Sequence, residues 1–468
     1  MESPTPNPSC PNCVALAAEL ARVNRRLSEL EAVVKKLSAK SMTSSRNSSQ
    51  PPSSDPPWSK KKGKQTVEGK RKRGGQPGHK KAERELRPPE EVDCVEDVVP
   101  DLCGCCGRRL YGSCDELRRH QVTELPPVRP QVTEYRLHGL TCGGCGEITY
   151  GSLPEGVPKG AFGPRLQATI ALLTGGYRVS RRATQGLVAD LFGLEISLGA
   201  VSNIEGRMSK ALAAPHAEAL ARVQNAGFKH ADETSWKQGN ANFWLWVAKS
   251  DETSVFLIRN NRSGKVAREL LGETITGTLI SDRYSGYAWV DLKQRQVCWA
   301  HLFRDFRKIA ESGKESKRIG EKLELYGAAV FTYWHQYRNK EISRERWHKE
   351  ADRFRGDIRA SLEEGAKLED WRAPSICRGI LKVESALWTF VRTEGLEPTN
   401  NDAERAIRGA VIWRKTSLGS QSERGSRYVE RMLTCAATLR AHGRNLMDYL
   451  HQVCASHPRG GEPISLFS

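Results

Sequence analysis

Apolar residues recur at alternating steps of four and three between residues 16 and 37: Leu16, Leu20, Val23, Leu27, Leu30, Val34 and Leu37. With Arg, Lys and Glu on the other faces, this seam predicts a short self-associating coiled coil over residues 1–40. From about Gly160 to Leu212 the spacing is helical again. "RRATQGLVADLFGLEISLGAVSNIEGRMSKAL" breaks at Gly193 and resumes after Ser197, the outline of a helix-turn-helix whose second helix could lie in a major groove. Near residue 227 the pattern shortens. "AGFKHADETSW", "NFWLWVAK" and "SVFLIRN" predict three strands, separated by the turn signals "KQGNA" and "SDET". A short helix "SGKVARELLG", a strand in "TGTLISDRYSGY", a fifth strand "RQVCWAH" and a helix "LFRDFRKIA" follow. That order is that of a ribonuclease-H-like mixed α/β domain. Residues from Ala310 to Trp388 read as long amphipathic helices, and "YVERMLTCAATLRAHGRNLMDYL" as a C-terminal helical tail.

Between these patterned regions the composition changes. Residues 41–59 are a Ser/Pro-rich linker that cannot build a core. Residues 60–81 carry ten Lys and Arg against a single acid, Glu68, around the centre "RGGQPGH". Such a tract grips phosphates without reading sequence, and Lys70, Arg71, Lys72 and Arg73 are its densest run. The whole chain of 468 residues has 73 Lys and Arg against 55 Asp and Glu, a formal charge of +18, which points to polyanions and to double-stranded DNA first. "MESPTPNPSC" lacks the features of a secretory signal, and no apolar run approaches the ~20 residues of a membrane span. The expectation is a cytoplasmic, nucleoid-associated protein with no membrane partner.

Thirteen cysteines, several in CxxC pairs, favour metal ligands over disulfides in a reducing compartment. Cys103-x-x-Cys106 and Cys142-x-x-Cys145 are two knuckles able to complete a structural zinc site. "HQVTELPPVRPQVTEYRLHGLTC" between them reads as two strands that would bring the knuckles together. Cys105 or Cys114 could substitute for a ligand, Cys94 is nearby, and Cys10-x-x-Cys13 has no evident mate.

The chemistry is carried by acids. Asp232 falls on the first strand of the α/β region and Asp282 at the end of the fourth, strands that are neighbours in such a sheet. Glu404 opens a helix in "TNNDAERAIRGA". With Asn401 as the cap, Glu404 also has the spacing of a capping box. Charges at the ends of buried strands are costly unless paired or bound to metal. Three hard oxygen ligands suit magnesium or manganese, and two such ions about 3.5–4 Å apart serve phosphodiester chemistry. At helical spacing Asn401, Glu404, Arg405 and Arg408 share a face. Asn401 is expected to orient the metal carboxylate, and the two arginines to contact phosphate, with surface salt bridges the plainer alternative.

"HADETSW", "SDRYSGY", "CWAHLFRDF" and "NNDAERAIR" together resemble the transposases of insertion-sequence family sixty-six. The likeness extends over nearly the whole chain, through the zipper-like start, "RGGQPGHK", the paired cysteines and the helical tail. It implies that Asp232, Asp282 and Glu404 are the family's DDE acidic triad, and that His301 and Arg304 belong to its Cys-Trp-Ala-His motif as catalytic support. It further implies a helical insertion between the second Asp and the Glu, magnesium-dependent cutting of element ends, and joining of the freed 3′ hydroxyl to target DNA. A homo-oligomer formed through the coiled coil, and helper proteins of the same element, are the expected partners. The expected domains are 1–40 coiled coil, 41–90 basic linker, 91–152 zinc module, 155–222 helix-turn-helix region, 223–415 catalytic domain with its insertion at about 310–390, and 416–468 tail. Two rival readings are a catalytically silent DNA-binding descendant and a ribonuclease-H-like nuclease.

Overall fold

The computed structural model describes residues 84–112, 117–158, 160–457 and 461–468, with Glu19, residues 21–26 and Ser28. Residues 19, 21–26 and 28 are helical, and Val23 is exposed. The other seam positions and the basic tract, including Lys70, Arg71, Lys72 and Arg73, lie outside the described residues, as do Cys10, Cys13 and Cys114.

The chain divides into two compact units, Pro57–Gln131 and the remainder. In the first, no described residue is buried. Side chains tie residues 84–87 to 119–123: Arg84 Nη2 donates to Thr123 Oγ1 (2.7 Å), and Gln121 exchanges two hydrogen bonds with the Arg87 backbone (2.8 and 2.9 Å). Of the two strands expected between the knuckles, a short one forms at the end of the segment, at Gly139–Thr141. Pro126, Pro127 and Pro130 remove backbone donors before it, and residues 117–138 run without regular structure. Only the short hairpin β1 (Gly139–Thr141) and β2 (Ile148–Tyr150), in the second unit, is made.

The rest of the second unit begins with α1 (Pro164–Ala171), which continues through a π-helical turn at Leu172–Gly176. Then come α2 (Arg181–Phe192), α3 (Leu198–Ala211) and α4 (Ala213–Gln224). Ser180 and Ser197 cap α2 and α3 through their hydroxyls, and Gly193 takes the left-handed conformation that ends α2, so the helix-turn-helix outline is present. The sheet follows: β3 (Phe228–Gln238), β4 (Ala241–Lys249), β5 (Ser254–Arg259), then α5 (Gly264–Leu271), β6 (Thr278–Ser281) and β7 (Arg295–Val297). Its order is β5-β4-β3-β6-β7, antiparallel across β5, β4 and β3 and parallel across β3, β6 and β7. This mixed five-stranded sheet is consistent with the expected ribonuclease-H-like core. The strand expected in "RQVCWAH" stops at Val297. Cys298 is the N-cap of α6 (Trp299–Ala310), which places His301 on a helix.

Both faces of the sheet are covered, as the alternation along β4 requires. Trp246 and Ala248 enter one core with α4, α5 and the C-terminal helices, while Leu245 and Val247 enter another. The helical insertion is α7 (Lys314–Arg338), α8 (Arg344–Gly365), α9 (Ala373–Leu381) and the short α10 (Thr389–Arg392). Its aromatics gather around Trp299, edge-to-face with Trp388 at 5.3 Å between ring centres, and Trp299 Nε1 donates to the Leu387 carbonyl (2.8 Å). The start of α6 is thereby fixed. The chain continues into α11 (Asn401–Ser417), α12 (Glu423–Ala441) and α13 (Leu446–Ser456).

The segment expected to be a tail belongs to the core. Strand β5 is an edge, and its outward N–H groups at Ser254, Phe256 and Ile258 donate to Thr438 Oγ1 (3.2 Å), Thr434 Oγ1 (3.1 Å) and the Glu430 carboxylate of α12. Four helical residues advance about 6 Å and two strand residues about 6.6 Å, so a helix with acceptors every fourth position can run in register with every second strand N–H. The edge is closed by side chains rather than by another strand. Among the described residues no helix is long and apolar enough to cross a membrane.

Candidate active site

In the parallel pair, Phe228, Lys229 and His230 lie opposite Thr278, Leu279 and Ile280. Continuing that register by two residues sets Asp232 beside Asp282, just past the end of β6. Alternation puts Asp232 on the same face of β3 as Trp236, and that face packs under α11 through Trp236, Ala403, Ile407 and Ala410. Glu404, the fourth residue of α11, adjoins this contact and turns toward α6. Arg304 Nη2 stands 3.3 Å, and His301 Nδ1 3.7 Å, from Glu404 Oε1.

The start of α11 is held by a residue the sequence did not single out. Asn400 is 1 % exposed. Its Nδ2 donates to the Ala231 carbonyl (2.7 Å), its Oδ1 meets His230 Nδ1 (3.1 Å), and its backbone N–H donates to Cys298 Sγ (3.1 Å). One side chain thus ties α11 to β3, next to Asp232, while its own N–H reaches the cap of α6. Asn401, expected to cap the helix and orient the metal carboxylate, is the first helical residue and is exposed. The helix cap is Asn400, with no side-chain cap bond, so the capping-box reading of Glu404 is not realised. Two adjacent asparagines gave no signal for choosing between them. Arg405 forms an ion pair with Asp402, which also meets Lys249 Nζ at 3.3 Å. Arg408 is exposed.

The electrostatics follow from crowding of acids. Burial pushes the Asp232 carboxyl up to about 8, helped by the negative charges of Glu233, Asp282 and, more weakly, Glu404; one N–H bond from Glu233 (2.9 Å) opposes it. Glu233, on the other face of β3, has its own partners, the Arg262 guanidinium and the Tyr287 hydroxyl (2.5 Å). Asp282 is held at both side chain and backbone: Oδ1 accepts from Tyr284 N (2.9 Å), and Arg295 Nη2 donates to its carbonyl (2.7 Å). Burial and the Arg304 charge push the His301 imidazole below its usual range, so it is neutral at pH 7. Its Nδ1 is buried without a hydrogen-bond partner.

Asp232, Asp282 and Glu404 are a hard, all-carboxylate donor set, and the raised Asp232 carboxyl marks a surplus of negative charge that a divalent cation would relieve. By this test the residues fit magnesium or manganese. Among the described residues the one grouping whose ligand atoms all lie within 4.8 Å of one another is Cys298, His301 and Glu404; the three acids do not gather that closely. Burial pushes the Cys298 thiol up to about 11, leaving it protonated at neutral pH. A cleft of about 830 Å³ between residues 152–158 and 160, α1, α3 and α13 is lined by none of the three acids.

Each cysteine knuckle is built alike. Cys103 N and Cys142 N donate to the carbonyls of Arg108 and Glu147 (both 2.8 Å), and Gly107 N and Gly146 N return to Cys103 and Cys142 (both 2.9 Å). Backbone N–H groups aimed at the sulfurs of Cys103 and Cys142 lower both thiols from their ordinary range. The first turn is therefore organised on Cys103, and Cys105 supplies an N–H to it.

A family model described as the transposase IS66 family matches residues 159–428, more than half of the chain and all three acids. The chain belongs to the IS66 transposase family. A second model, for a family of unknown function (DUF6444), matches residues 5–85, where the heptad seam and basic tract lie. Two uncharacterized proteins of Sinorhizobium fredii (strain NBRC 101917 / NGR234) are similar to this IS66 chain. The protein y4hP is 24% identical over 415 residues, covering 79% of this chain and 74% of its own length. The protein y4qI is 26% identical over 311 residues, covering 57% and 54%.

Proposed function

We propose that this chain is a DNA transposase that binds the ends of an insertion sequence, cuts them and transfers the freed strand to target DNA. What supports the reading is the neighbourhood of Asp232, Asp282 and Glu404: two acids by strand register, the third on the helix over the same sheet face, with both Asp282 and Glu404 near enough for their charges to raise the Asp232 carboxyl. These residues would hold magnesium or manganese ions, which when bound activate the attacking oxygen and stabilise the leaving oxygen of a phosphodiester. The remaining roles belong to the protein's own side chains. Asn400 fixes the entry of α11, so that Glu404 is presented toward α6 and the sheet end. Arg304 balances Glu404 and restrains its carboxylate. His301, neutral and with an unbonded Nδ1, stands beside that carboxylate and is placed to take part in proton transfer there. The test is the full chain with short duplexes carrying the element's terminal repeats in magnesium. Joined products support transfer, whereas cut products alone indicate a nuclease.

The cysteine knuckles serve as zinc ligand pairs in this reading. The described residues of the unit containing Cys103 and Cys106 are all unburied, so among them there is no apolar core and the knuckle needs another source of order. Cys106→Ser is expected to lower the zinc content of the purified protein, measured by elemental analysis. Unchanged zinc removes the metal from this account.

A further inference from the structure

A cleft of about 510 Å³ lies between α3 and α12, on elements that carry none of the three acids. Five cations line it and no carboxylate does: Arg207 and Lys210 from α3, and Arg424, Arg427 and Arg431 from α12. On α12 they recur at steps of three and four, which places them on one face. Arg427 is committed to Glu423 and Glu430. Among the described residues the other four have no carboxylate within ion-pair distance.

These arginines are nevertheless anchored. Arg424 Nη2 donates to the Ser202 carbonyl (2.6 Å), and Arg431 Nη1 to the Ser209 carbonyl (2.7 Å) and hydroxyl (3.3 Å). Arg207 Nε donates to Gln167 Oε1 (3.3 Å). Gly206 makes the arrangement possible, because a Cβ there would collide with the Arg424 guanidinium. Burial, together with the neighbouring Arg427 charge, lowers the Arg431 guanidinium from its ordinary range despite the opposing effect of Glu430. The guanidinium groups of Arg207, Arg424 and Arg431, fixed by neutral acceptors and without an ion-pair partner among the described residues, leave donors free for an anion. Their planar forks match phosphate oxygens.

We propose that the cleft between α3 and α12 is a phosphate-binding track that holds the backbone of duplex DNA. The inference rests on the reading of the chain as one that acts on DNA, and names a surface for that contact. It also changes the role of the helix-turn-helix. The exposed cations of α3 face α12 across a narrow cleft, so α3 grips phosphates at this face rather than reading bases.

The test uses the full chain and a labelled duplex of arbitrary sequence, with affinity followed from low to physiological salt. Arg207→Ala, Lys210→Ala and Arg424→Ala combined are expected to weaken binding at least tenfold at low salt. They should also make the slope of log affinity against log salt shallower by about 2–3. Lys210→Glu alone, an exposed change, is expected to reduce the slope by about 1, and unchanged thermal melting shows that its fold is kept. A wild-type slope in both variants overturns the track while leaving the transposase reading intact. Wild-type protein that binds no duplex at any salt overturns both.

Discussion

Asp282→Ala is expected to reduce strand joining on short duplex ends by about a thousandfold or more in magnesium, a loss of at least about 4 kcal/mol of transition-state stabilisation. Affinity for the same duplex should stay within about twofold. The split follows from where the groups lie. Asp282 continues the β3–β6 register to stand beside Asp232, and its carboxylate raises the Asp232 carboxyl through space. In the proposed site its removal takes one hard ligand from a set of three. The cations available to phosphate lie elsewhere, on α3, α12 and the basic tract. The local fold should also survive. The substitution loses one bond, from Tyr284 N to the carboxylate, while Arg295 still bonds the Asp282 carbonyl and Arg283 remains paired with Asp305. Gel-resolved joining products and fluorescence anisotropy on the same preparation check both halves. Joining at the wild-type rate would remove Asp282 from the chemistry.

Asp232→Asn should make the metal-free protein more stable, although it removes a proposed ligand. Asp232 is a carboxyl whose folded value, about 8, lies above its ordinary 3.8. In the unfolded chain it ionises near 3.8, so the folded state binds the extra proton between those values. Stability therefore falls as pH rises from about 4 to about 8, and the full penalty remains above that. Amide substitution removes the penalty, so the gain should be small at pH 4.5 and reach about 1–4 kcal/mol at pH 8. Magnesium or manganese should stabilise wild type and narrow the gap, because a cation replaces the proton. Thermal melting of both proteins at the two pH values, with and without metal, measures this. A variant less stable than wild type at pH 8 without metal would mean that the site is not strained by charge.

Such strain is common where function opposes stability, and here it shows what a sequence can disclose. The strands were legible because β4 and β5 place apolar groups on both faces in short runs bounded by turn residues, a pattern only a covered sheet satisfies. Asp232 and Asp282 were legible once β3 and β6 were taken as neighbours. Glu404 was not separable from a helix cap by its own neighbourhood; the two upstream acids, in want of a third oxygen ligand, singled it out, and the family resemblance agrees.

Other features depended on contacts remote in the chain. Asn400 and Asn401 are chemically identical, and only the docking of α11 on Ala231 and Cys298 distinguishes them. The C-terminal helix reads as a tail because its partner, the edge of β5, lies about 180 residues earlier, beyond any local periodicity. The first of the two supposed strands before Cys142 followed alternation and gave too little weight to three prolines. Cys298 and His301 were assigned to a strand because the apolar run of β7 passes into α6 without a Gly or Pro to mark the boundary.

The most direct test of a shared cation site is a count of bound manganese by electron paramagnetic resonance, on the full chain and on Asp232→Asn, Asp282→Asn and Glu404→Gln. Each variant should lose manganese that the wild type binds, and combining any two substitutions should remove no more ions than the site holds. Wild-type binding in all three would contradict the account.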